Sequence, residues 1–128
     1  MWATVYSYVS ADGRNPFREW ALGLGKVERA KLNSKIDLLT VCGADLPPNL
    51  LSDSGHPNIK KLRINGAVAL RPLLCRGPTE MNGSEFTLLA GAIEKDRKLP
   101  TDVLELAARR RTEIIENNDR RILHERIR

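Results

Sequence analysis

Asn65-Gly66 lies between two runs of strand-forming residues, 59–64 and 68–74. This dipeptide is among the strongest short hairpin signals, because both residues tolerate the positive φ that a two-residue turn between twisted strands requires. An antiparallel hairpin is therefore expected in the middle of the chain, and the rest must cover its faces.

Residues 2–9, rich in aromatic and β-branched side chains, read as a first strand. Asp12-Gly13 and Asn15-Pro16 mark a turn. Pro16 opens a short helix in which Phe17, Trp20, Ala21 and Leu24 share a face, with Phe17 and Trp20 as core residues. A second helix spans about 27–42, with Leu32, Ile36 and Leu39 at helical spacing and Gly43 as its stop. Residues 45–57 read as a loop, 77–84 as a break in the sheet, and 85–93 as a largely apolar and hence central strand. After a charged turn, Thr101 caps a last helix that reaches about 117.

The expected fold is α+β, in the order β-α-α-β-β-β-α: a helical hairpin and a C-terminal helix packed on a small, mostly antiparallel sheet. One domain is expected over 1–117. A basic tail, 118–128, follows as a weak amphipathic helix or frayed chain.

A chain of 128 residues can hold such a core without a disulfide or metal staple. Cys42, in the second helix, and Cys75, in a strand, read as buried reduced thiols, and no Cys/His cluster has metal-ligand spacing. The first residues lack the basic and apolar regions of a signal peptide, and no apolar stretch is long enough to span a membrane. A cytoplasmic protein is expected, with no membrane, metal or cofactor.

The net charge is +5, and its placement matters more than its size. Between Asp53 and Glu80 there is no acidic residue, while His56, Lys60, Lys61, Arg63, Arg71 and Arg76 are all there. Cations grouped on a small sheet suit a phosphate backbone. Alternation puts Lys61 and Arg63 on one face and Lys60 on the other. It also separates Arg71 from Arg76 unless a bulge intervenes. Pro72 cannot donate a ladder hydrogen bond, which points to an edge position or a bulge.

Several local patterns recur in a fixed order. Lys61-Leu62 lies on one strand, Gly66 follows, and Leu70-Arg71 lies on the next, with Arg76 further along the sheet. An apolar strand then leads to Gly91, to Lys95, Lys98 and Pro100, and to a last helix carrying Ala107, Ala108, Arg109 and Arg110. In this the chain resembles the RelE/ParE toxin superfamily, and within it the HigB-like, phage-derived branch, over roughly residues 16–115. It departs from the branch at Ala69, Ala92 and Glu94, which stand where Glu, Phe and the first of two paired lysines are usual.

The resemblance implies the toxin of a type II toxin-antitoxin system. Such a toxin is a metal-independent endoribonuclease that inhibits translation by cutting mRNA, often on the ribosome. Its partners would be mRNA, the ribosome and a cognate helix-turn-helix antitoxin. The reaction is attack of a 2′-hydroxyl on the adjacent phosphate, which needs a proton acceptor, cations for the developing charge, and an acid for the leaving oxygen. Arg71 and Arg76 are the leading phosphate-binding pair, with Lys95 at the same site and His56 and His124 as candidate acid or base. Lys60, Lys61, Arg63, Arg97 and Lys98 are candidate RNA contacts. The alternative is a non-catalytic or gyrase-poisoning member of the same fold that binds a partner protein or nucleic acid.

Overall fold

The computed structural model describes residues 2–79 and 84–128. Its elements are β1 (Thr4–Tyr8), α1 (Pro16–Leu22), α2 (Lys26–Cys42), β2 (Leu51–Asp53), β3 (Lys60–Leu62), β4 (Leu70–Arg76), β5 (Glu85–Ile93), α3 (Thr101–Glu116) and β6 (Arg121–Leu123). The strands form one mixed sheet in the order β2-β3-β4-β5-β1-β6. Only the β1–β5 pair is parallel among these strands. The fold is thus α+β, as expected, with two short edge strands added to the expected order.

Side-chain alternation divides the sheet between two helical layers. On one face Val5, Leu62, Leu70, Leu74, Phe86 and Leu88 pack with Phe17, Ala21, Leu32, Ile36 and Leu39 of the α1–α2 hairpin. On the other, Tyr8, Leu73, Cys75, Leu89 and Ala90 pack with Ala107 and Ile114 of α3. Asn15 fixes the start of α1, its side-chain oxygen accepting from the Arg18 N–H at 3.1 Å. Trp20 on α1 lies flat on Gly91, where any Cβ would overlap the indole carbons. The close approach explains a glycine inside a central strand.

Three local expectations are corrected. Asn65-Gly66 does not make a two-residue turn: Ile64 bridges Leu70, so the connection is residues 65–69. The Arg71 guanidinium takes the Asn65 side chain and the Ile64 and Leu70 carbonyls, and the loop folds around it. Pro72 sits on an interior strand. Counting two residues from the Ile64–Leu70 pair, its missing N–H falls opposite Leu62, and the β3–β4 ladder is interrupted there. The tail is neither an amphipathic helix nor frayed: after a single 3-10 turn at Asn118–Arg120, residues 121–123 add β6 to the sheet edge and Ile127 enters the core. The edge of β1 and a cleft beside α2 supply the partners that a free tail lacks. In addition, Thr101 is the first helical residue rather than the cap. Residues 80–83 of the expected 77–84 break lie outside the described residues.

Candidate nucleic-acid interface

Arg71 points to the α3 face of β4 and is 2% exposed. Its Nε donates to Glu94 Oε2 at 3.2 Å and its Nη2 reaches Glu94 Oε1 at 3.5 Å. Nη2 also donates to Asn65 Oδ1 at 3.0 Å, and Nη1 to the carbonyls of Leu70 at 2.8 Å and Ile64 at 3.4 Å. The fork is fully engaged by protein groups and offers no donor to a ligand. Glu94 arrives by register: Arg71 lies opposite Ala92, so the residue two further on shares its face. Burial pushes the Glu94 carboxyl upward, but the Arg71 hydrogen bond and the charges of Arg71, Lys61 and Arg63 outweigh it and hold the pKa below the usual value.

The expected absence of carboxylates is thereby corrected. The acidic partners come from outside the window: Lys61 Nζ is 3.6 Å from Glu94, and Lys60 Nζ is 3.0 Å from Asp53. Even so, one carboxylate faces three cations at this end of the sheet, Lys61, Arg63 and Arg71.

Lys95 and Lys98 extend the group. They form a reciprocal backbone pair, N–H to carbonyl at 3.1 and 2.9 Å, across a two-residue turn. The central residues Asp96 and Arg97 both have positive φ, 50° and 63°. Two non-glycine residues in the left-handed region, closing a turn that sets two exposed lysines side by side, oppose local stability twice: through backbone strain and through like-charge repulsion. Among the described residues, Lys95, Arg97 and Lys98 have no acidic partner. The structure thus brings together Lys61, Arg63 and Arg71 around Glu94, and sets Lys95, Arg97 and Lys98 in the turn that directly follows that carboxylate in the chain.

The remaining candidates lie elsewhere. β4 and β5 shift register between Leu73 and Leu74, but the extra residue is Leu89 of β5, so alternation along β4 is unbroken. Arg76 therefore faces the α1–α2 side, beside Phe86, Leu51 and Leu46, with Lys60 nearby. It does not join Arg71. His56 is in the loop after β2, held by its backbone N–H to Ser54 Oγ, with its ring against the Pro57 carbonyl. His124 is packed edge-on to Phe17, its Nδ1 3.1 Å from the buried Ser7 Oγ. Burial pushes its pKa down to about 4. The two histidines and Arg76 thus do not converge with the cations around Glu94.

Sequence reasoning missed three groups. Glu94 is the counter-ion of the cluster. Asn33 and Asp37 on α2 hold the C-terminal segment. Tyr8, whose hydroxyl donates to Glu113 at 2.8 Å, ties β1 to α3. Only the register of strands far apart in the sequence could have located the first. Asn33, a polar residue beside Leu32 on the apolar side of α2, was a visible signal for the second. Among the described residues no group of acidic, His or Cys side chains has the arrangement of a metal site. No described helix is long and apolar enough to cross a membrane. Compared with family models, curated proteins and solved structures, the chain matches none.

Proposed function

We propose that this chain is a toxin of the RelE/ParE type directed at mRNA, an endoribonuclease that grips the RNA backbone at the Lys61, Arg63, Lys95 and Lys98 end of its sheet. The observation that carries the reading is the strained turn that sets Lys95 beside Lys98, beginning one residue after Glu94, the carboxylate that three further cations share. Strain and like-charge crowding at one exposed place are what an anion site retains. On this reading Lys61, Arg63, Lys95 and Lys98 bind successive phosphates, and Arg71 is a positioning residue. Glu94, ionised at neutral pH and oriented by Arg71, takes the proton of the attacking 2′-hydroxyl as the bond from that oxygen to phosphorus forms; the bond from phosphorus to the 5′-oxygen breaks, and solvent water protonates the leaving oxygen. Glu94 is a weak base, so much of the rate comes from holding the RNA in line, for which the ribosomal A site is suited.

The test is expression under a tight promoter, with growth and mRNA ends followed together. Growth arrest with new 5′ ends inside coding regions is expected. Lys95→Glu with Lys98→Glu should abolish both, and Glu94→Gln should abolish cleavage while leaving RNA binding. Unchanged growth and intact mRNA on expression of the folded chain would overturn the reading.

A second reading is favoured by one observation, the separation of Arg76, His56 and His124 from the cation group. It makes the protein a non-catalytic member of the same fold that binds nucleic acid or a partner protein, or poisons gyrase. Growth arrest with intact mRNA would select it.

A further inference from the structure

Arg76 ends β4 with a guanidinium that the fold leaves unused. Strand register puts it opposite Phe86 of β5, on the α1–α2 face of the sheet. Lys60 of β3 lies opposite Leu74, two residues before Arg76. The two cations therefore stand on one face, at neighbouring positions of adjacent strands. Arg76 is partly buried, yet among the described residues it makes no hydrogen bond and no ion pair. Arg71 is the contrast, since its fork is filled by Glu94, Asn65 and two carbonyls. A guanidinium drawn partly out of water without an acceptor is unfavourable, and a second cation beside it adds to the cost.

Two cavities, of about 270 and 170 Å³, each have both Lys60 and Arg76 in their walls. Asp53 joins them in the larger, and Leu46, Leu51 and Phe86 line the smaller. Charge, shape and size together select the ligand. Lys60 Nζ is 3.0 Å from Asp53, so it is already answered by a carboxylate. Two cations and one carboxylate leave one positive charge, which a monoanion balances. The planar fork of Arg76 matches a carboxylate held through both oxygens. The apolar walls suit an organic body and not an inorganic ion. Pockets for drug-sized ligands run to roughly 300–1,000 Å³, so cavities below that range take a molecule smaller than a nucleotide.

We propose that Arg76 and Lys60 form a binding site for a small organic monocarboxylate, with the carboxylate on the Arg76 fork and the apolar body against Leu46, Leu51 and Phe86. The site is on the face opposite Arg71 and Glu94, and it does not depend on the RNA reading. The test titrates benzoate, benzyl alcohol and phenyl phosphate, which share one ring, into the full-length chain at constant ionic strength, followed by amide chemical shifts. Benzoate should give saturable shifts at Arg76, Phe86 and Leu51. Benzyl alcohol should bind about tenfold more weakly, having lost the charge-assisted pair, and Arg76→Gln should weaken benzoate by about as much. That substitution removes no internal hydrogen bond, so the thermal midpoint should not fall. Asp53→Asn leaves two positive charges and should turn the preference from benzoate to the phenyl phosphate dianion. No saturable shift from benzoate at this place, benzoate binding unchanged in folded Arg76→Gln, or equal binding of benzyl alcohol would each overturn the site. Phenyl phosphate already preferred by the unaltered chain, or a preference unmoved by Asp53→Asn, would overturn its choice of a monoanion. An Arg76→Gln chain that melts markedly lower would also sink the proposal, because the guanidinium would then have its partner within the protein.

Discussion

Removing a guanidinium from water costs several kcal/mol, and Arg71 recovers this only because every face of its fork meets an oxygen. Arg71→Ala is expected to leave Glu94 half-buried beside Lys61 and to lower stability by about 3–5 kcal/mol, read as a fall in the urea midpoint. Glu94→Ala strands the buried arginine and should cost a similar amount. The double variant should cost less than the sum, because each single change leaves an unpaired charge that the other removes. Loss of activity in Arg71→Ala alone would therefore report unfolding as readily as chemistry. Acid sensitivity follows with a definite sign. The Glu94 pKa is lowered in the folded chain, so its stabilisation is present above the ordinary carboxyl pKa and is lost as pH falls through the lowered value. Urea midpoints of Glu94→Gln should consequently change less than those of the unaltered chain across that acid range. Sequence alone put Lys61 with Arg63 and separated Arg71 from Arg76. The burial of Arg71 was not legible, because Glu94 lies 23 positions away and only strand register joins them.

The helices were readable because a 3.6-residue period persists over many residues; Leu32, Ile36 and Leu39 are all in the core. The long strand β5 was readable for the same reason of length. The edge strands were not, since three residues carry no period and their bonds come from distant chain. The strap formed by β6 and residues 124–128 carries its own pH dependence. His124 is partly buried against Phe17 and Ser7, with Arg18 as the unfavourable charge, opposed by Asp37 and Glu125. Its pKa falls from 6.5 to about 4 on folding, so the neutral ring is the folded form. The unfolded chain binds the proton first as pH falls, so stability declines between those values, by up to about 3 kcal/mol. Urea midpoints between pH 7 and pH 4 should show the decline, and His124→Gln should flatten it, because glutamine gains no proton. The contact between α1 and β5 has an equally direct test. Gly91→Ala drives a methyl group into the Trp20 ring and should destabilise the chain by about 1–3 kcal/mol. Adding Trp20→Leu, which makes room, should restore part of the loss.

Across the whole molecule, the net charge of +5 is divided unevenly. Asp53, Glu94, Glu113 and Glu85 pair with Lys60, with Lys61 and Arg71, with Arg120 and with Arg121. Lys95, Arg97 and Lys98 are left exposed at the turn that follows Glu94, whereas Arg76 lies on the α1–α2 side of the sheet beside Phe86. If RNA binds at the first of these places, its affinity must carry the counter-ion signature of those lysines. Each phosphate neutralised on a single strand changes the slope of log K against log salt by about −0.7. Contacts from Lys61, Arg63, Lys95 and Lys98 then predict a slope near −3, read by fluorescence anisotropy of a labelled single-stranded RNA over a potassium chloride series. Lys95→Glu with Lys98→Glu should make the slope shallower by about 1.4 and weaken binding at low salt. Arg76→Ala, on the opposite face, should leave the slope where it was. Equal effects from the two sets of variants would mean that the protein's diffuse charge holds the RNA. A slope moved only by Arg76→Ala would shift the binding surface to the side of the helical hairpin, and Glu94 would then have no substrate proton within reach.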